Sequence, residues 1–147
     1  FGGNGYVDDG VMGRLFREAP VNSIWEGSGK VMCLDVMRAI GRDPAAAMTL
    51  LEELAHDGGD DARIRAELKG LQTMLAEPPE HLEALGRRFT ERLVLVAQAC
   101  LLRRHAPTAV ADAFVQTRLD PDWGRVVGSI DIRNVAVDAL LERAYPA

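Results

Sequence analysis

The chain has 147 residues, 48% of them hydrophobic and 27% charged, which fits a soluble globular unit with a real core. A formal net charge of −5 argues against a chain-wide field for nucleic acid, and no apolar run is long enough to span a bilayer. The start, "FGGNGYVDDG", has no basic or apolar signal region and no initiator Met, so the sequence reads as a piece of a longer protein, and its two Cys residues, as reduced thiols, imply a cytoplasmic location.

The first segment, to about Asn22, has weak periodicity and predicts one short helix around Val11 to Phe16 between irregular stretches. From Ser28 to Ile40 the residues Val31, Leu34, Met37 and Ile40, joined by Met32, Cys33 and Val36, make a wide apolar helical face. Gly41 is placed to end that helix. Asp43-Pro44 then reads as an N-cap followed by Pro at the first helical position, opening a short helix through Met48, Leu51 and Leu54. "HDGGDD" reads as a loop with Asp60 as the next cap. Ile64, Leu68, Leu71 and Leu75 follow as an amphipathic stripe until "EPPE" breaks it.

The strongest pattern is Leu82, Leu85, Phe89, Leu93, Val96 and Cys100. Residues 93–102, "LVLVAQACLL", are apolar nearly all round, which predicts a helix through the centre of a bundle. Pro107 restarts the chain for Val110 and Phe114. Asp120-Pro121 reads as a further cap, before a last helix carrying Val127, Ile130, Val137 and Leu141. Cys33 and Cys100 both read as buried reduced thiols. The sum is an all-α, up-and-down bundle of roughly five or six helices, because short connections favour antiparallel neighbours.

Familiar motifs fail on spacing. "GSGK" lacks the first Gly of a phosphate loop, since Ile24 stands there, and Val31 replaces the Ser or Thr after Lys30. "GNGYVD" puts Asp8 where a dinucleotide fingerprint needs its third Gly. His56, His81 and His105 lie far apart, with no metal-ligand spacing, and there is no nucleophile elbow. What remains is "WEGSG" at a helix start. Unpaired N–H groups and close-approach glycines make such a start an anion or cofactor site, while Ser28 as an ordinary N-cap is the simpler reading.

Three blocks stand out: Gly2-Gly3-Asn4-Gly5-Tyr6, Arg17-Glu18-Ala19 and Trp25-Glu26-Gly27-Ser28. Their order and spacing resemble the acyl-CoA dehydrogenase family over roughly residues 1–40. The resemblance implies FAD as cofactor, and Glu26 as the base that removes the α-proton of an acyl-CoA thioester. It implies that Gly2 and Gly3 line the adenine-nucleotide end of FAD, often from a neighbouring subunit, with Ser28 and Lys30 near its phosphates and adenosine. Gly27 would lie close to the thioester. Lys30 departs from the Gln of many relatives.

Trp25, bulkier than the usual Tyr, and about 100 further helical residues resemble the AidB-like, alkylation-response branch of the family. Residues 1–42 would then end the family's C-terminal helical domain, and residues 43–147 would form an extra helical extension packed on it. A homo-oligomer is expected, and the branch implies duplex DNA as a partner, for which Arg88, Arg92 and Arg103 lie near one helical face. The plainer reading of that face is solvated charge paired with Glu80, Glu83 and Glu91. A third reading makes the apolar helix at 93–102 an oligomer interface.

Overall fold

The computed structural model describes residues 1–25, 27–120 and 130–146. Seven α-helices occur among them: α1 (Val11–Glu18), α2 (Gly29–Arg42), α3 (Pro44–Gly58), α4 (Ala62–Leu75), α5 (Pro79–His105), α6 (Thr108–Arg118) and α7 (Val137–Ala144). No strand occurs among the described residues. The fold is all-α, with seven helices among the described residues where roughly five or six were expected; α1 and α7, both foreseen in the sequence, are short eight-residue elements.

Local chemistry sets the breaks. Asp43 closes α2 by donating its N–H to the Ala39 carbonyl at 3.1 Å, and opens α3 by accepting from the Ala46 N–H at 2.9 Å. Pro44 forces this corner, since the residue before a proline avoids helical ψ. Gly41 therefore stays inside α2, contrary to its expected role as terminator. α3 runs on through half of the expected loop and stops at Gly59, whose φ of 59° suits glycine. That shift makes Asp61, not Asp60, the cap of α4. The Asp61 carboxylate accepts from the N–H groups of Arg63 (2.9 Å) and Ile64 (3.3 Å), while Asp60 pairs with Arg65.

α5 is the axis. α2, α3, α4 and α6 all pack on it, and α3 packs on α4 through their short turn, which is the up-and-down arrangement. The core comprises Leu51 and Leu54 of α3, Ile64, Leu68, Leu71 and Met74 of α4, Phe89, Val96, Ala99 and Cys100 of α5, Ala111 and Val115 of α6, and Leu119 just after it. Gly58 permits the tightest crossing, since a Cβ there would lie 2.6 Å from Ile64 Cγ2 and 3.2 Å from Cys100 Sγ.

Several expected faces are turned. Met74 is buried while Leu75 is only partly so, and Ala111 and Val115 are more deeply buried than Val110 and Phe114, although Leu75 and Phe114 still pack against the core. Met48 is exposed. Within 93–102, Val94 and Leu101 are about half exposed, so α5 is central without being buried all round. Ile130 precedes the last helix instead of lying on it, and a 3-10 turn at Ile132–Asn134 intervenes. The expected Pro121 and Val127 positions lie outside the described residues.

The thiols differ. Cys100 is buried, and burial, followed by the nearby Asp57 charge, pushes its thiol up to about 11. Cys33 is half-buried, which corrects the expectation that both are enclosed. Alkylation of the native chain at neutral pH should therefore modify Cys33 alone, with Cys100 reacting only after unfolding; mass spectrometry of the labelled peptides checks this.

The end of α5 is clamped by charge. The Arg103 guanidinium donates to both Asp61 and Asp112, joining the start of α4 to α6. Burial alone would raise the Asp61 carboxyl, but Arg103 and the two capping N–H groups outweigh it and hold it below its ordinary 3.8. Its contribution to stability is present above pH 3.8 and is lost as pH falls through the lower folded value. Asp61→Ala should cost about 2 kcal/mol at neutral pH by removing cap and ion pair together, and Asp61→Asn about half of that because Asn still caps. Urea midpoints of the two variants separate the contributions.

Candidate functional site at the start of α2

The motif blocks form the surface ahead of the bundle. Gly2–Gly5 makes a 3-10 turn in which the Tyr6 and Val7 N–H groups donate to the Gly3 carbonyl. Gly2 has φ 56°, and a Cβ on Gly2 or Gly3 would meet nothing within 4 Å. Arg17, from the second block, donates to Asp8 at 2.7 Å and ties this turn region to α1. A second 3-10 turn, Ala19–Ser23, follows with Pro20 near its start, and the Ser23 hydroxyl donates to the Pro20 carbonyl at 2.8 Å.

Short-range backbone hydrogen bonds mark the described residues around the third block. Ile24 and Trp25 both donate their N–H groups to the Val21 carbonyl, and the Gly27 N–H donates to the Ile24 carbonyl at 3.1 Å. Gly27 adopts φ 114°, a conformation that side chains with a Cβ rarely reach. Glu26, expected as the base, lies outside the described residues. Ser28 occupies the N-cap position of α2 with extended backbone, but its hydroxyl makes no cap hydrogen bond. The simpler reading of Ser28 as an ordinary side-chain cap is thus not realised. Among the described residues, no side chain caps the first turn of α2, and Gly29 is in open space.

Trp25, Gly27, Ser28 and Lys30 are therefore contiguous at one helix start, with Trp25, Ser28 and Lys30 exposed. Gly2 and Gly3 lie on the earlier turn, and no hydrogen bond among the described residues ties them to the α2 start. The surroundings are apolar and uncovered. Phe1, Tyr6, Val11, Leu15, Phe16, Ile24 and Trp25 are each more than half exposed. Further along α2, two apolar grooves of about 550 and 420 Å³ flank the helix, lined by Leu34, Met37 and Met48 on one side and Val36, Ala39 and Leu50 on the other.

The arginine face takes a different form from either expectation. Arg92 lies 3.6 Å from Glu67 of α4, Arg103 bridges Asp61 and Asp112, and Arg104 pairs with Asp57 of α3. The partners are on neighbouring helices and not Glu80, Glu83 and Glu91. Arg87 and Arg88 are exposed, without an acidic partner among the described residues. Nothing in the local sequence signals these pairings, because they depend on which helices pack together. Among the described residues, no group of three His, Cys, Asp or Glu could hold a metal ion, and no helix is long and apolar enough to cross a membrane.

Residues 1–41 match the family model described as acyl-CoA dehydrogenase, C-terminal domain. AidB of Escherichia coli (strain K12), an acyl-CoA dehydrogenase by its provisional name, is 37% identical over 123 residues, covering 84% of this chain and 22% of that protein. The chain belongs to the acyl-CoA dehydrogenase family and is AidB-like. Acyl-CoA dehydrogenase family member 11 of Caenorhabditis elegans is 27% identical over 124 residues, covering 72% of this chain and 20% of that protein. The likeness to both relatives runs far beyond the segment that the family model covers, and so includes much of the α3–α6 bundle. The chain spans about a fifth of the length of these curated relatives. No solved structure gives a significant match.

Proposed function

We propose that this chain is the C-terminal part of a flavoprotein that oxidises an acyl-CoA thioester, with Glu26 as the base. The observation that carries this reading is the uncapped start of α2, set beside an uncovered apolar surface in the segment that matches the family. Bound FAD would supply the hydride acceptor for the β-carbon. The residues present fit part of such a site. Open glycine backbone at Gly2 and Gly3 suits close approach of the adenine nucleotide, and the free first turn of α2, with Ser28 and Lys30, suits phosphate oxygens.

Glu26 would take the α-proton, a weakly acidic one, which requires a raised carboxyl pKa and a dry site. Gly27 would let the thioester lie close to the backbone, and Trp25 would narrow the acyl channel. Ile24 and Trp25 are exposed in this chain, so the dry walls of the site come from other parts of the protein. The apolar surface over residues 1–32 is the face for that remainder or for a second subunit in a homo-oligomer.

The test uses the full-length protein. It should purify yellow, its visible flavin band should bleach when acyl-CoA is added without oxygen, and Glu26→Gln should keep FAD while losing the bleaching. A colourless protein, or unchanged bleaching by the variant, removes this reading. Duplex DNA binding by the bundle is the less supported alternative, because Arg92 and Arg103 of its three arginines already hold carboxylates. It predicts salt-sensitive duplex binding that weakens in an Arg88→Ala, Arg92→Ala, Arg103→Ala variant.

A further inference from the structure

α2 has two ends with different tasks. Its first turn carries the motif, and its second half is seated in the bundle through Val36, Met37 and Ile40, mainly against α5. Gly86 of α5 lies in that seat, against Met37. A Cβ built there would stand 3.1 Å from Met37 Cγ and 3.7 Å from Met37 Sδ. The absence of a side chain at this one position lets the two helices approach. The flanks of α2 are the open grooves already described, and α1 packs chiefly on the 3-10 turn that follows it. Within this chain, then, the motif turn takes its place from a stiff rod anchored about 12 Å further along, eight residues at helical rise.

We infer that the Met37–Gly86 contact is a positioning contact: the seat of α2 on α5 sets where Gly27, Ser28 and the first turn of α2 stand. Its catalytic consequence rests on the dehydrogenase reading, whereas its structural part does not. A helix transmits a displacement at its seat to its end with little loss. A side chain at residue 86 must lift α2 or push Met37 aside. Gly86→Ala is absorbed, since Met37 borders a groove into which its flexible side chain turns. Gly86→Leu is too large for that and lifts the helix. Adding Met37→Ala to Gly86→Leu roughly conserves the volume at the contact and reseats α2.

Two readouts in the full-length protein test this. Gly86→Leu should retain FAD and slow flavin bleaching at saturating acyl-CoA by about 100-fold, as a misplacement near 1 Å can. The acyl-CoA concentration for half-maximal rate should change little. Gly86→Leu should also speed amide hydrogen exchange over residues 21–32 while leaving residues 45–75 unchanged. Both effects should be absent in Gly86→Ala and reversed in the Gly86→Leu, Met37→Ala pair. If Gly86→Leu does not fold, Met37→Ala alone loosens the seat and should speed exchange over residues 21–32. Unchanged exchange over that segment in a folded Gly86→Leu or Met37→Ala variant overturns the inference. An exchange response in a protein whose wild type never bleaches upholds the seat and rejects the dehydrogenase reading. Normal bleaching with no exchange response does the reverse.

Discussion

Replacing Phe89 with alanine should destabilise the bundle by about 3–5 kcal/mol, the largest loss expected from a single core residue here. Phe89 is 1% exposed and stands on α5, the helix against which α2, α3, α4 and α6 pack. It also lines the groove bordered by Val36, Ala39, Ile40 and Leu51. Truncation removes the ring's burial and joins its vacated space to that groove, so α2 loses cover while α3 and α5 lose a shared contact. Collapse of the neighbours would relieve part of the cost and place the loss at the lower end of the range. Urea unfolding measures it as a lowered midpoint with an unchanged slope. Val94→Ala is the control: Val94 is about half exposed on the same helix and should cost much less. A Phe89→Ala loss no larger than the control's would mean that the α5 axis is not the organising element.

Glu26→Gln should lower the rate of acyl-CoA-driven flavin bleaching by about 10²–10⁴-fold, the usual contribution of a positioned general base. Glutamine keeps the size and much of the polarity of the side chain but cannot accept the proton. FAD retention and acyl-CoA affinity should stay near wild type, which separates loss of a base from loss of a site. Stopped-flow absorbance of the variant and the wild type, each with FAD bound, makes the comparison. A loss confined to acyl-CoA affinity would give Glu26 a binding role instead.

The local parts of the fold were legible because their causes are local. Asp43-Pro44 announces a cap and a proline in adjacent positions, and the structure uses both. The choice between Asp60 and Asp61 was not legible. It depends on Gly59 adopting a positive φ and on Arg103, 42 residues away, reaching Asp61. Gly41 offered a helix stop that Pro44 supplied instead. On α6 the amphipathic pattern admits two neighbouring faces, and packing on α5 buries Ala111 and Val115 most deeply while Phe114 borders the core. Charges on α5 were visible as a stripe, yet their partners belong to α3, α4 and α6 and follow from tertiary packing. At the candidate site, periodicity offered only a helix start at Ser28. The three spaced blocks tied it to the acyl-CoA dehydrogenase family, and the structure adds the uncapped turn, the positive φ of Gly27 and the seat of α2 at Gly86.

The most direct measurement is exchange of the acyl-CoA α-hydrogen with solvent. The full-length protein, incubated in D₂O with an acyl-CoA whose β-carbon cannot release hydride, should place deuterium at the α-carbon, read by mass spectrometry. Glu26→Gln with FAD retained should place none above the uncatalysed background. Equal deuterium incorporation by the two proteins would contradict the assignment of proton removal to Glu26.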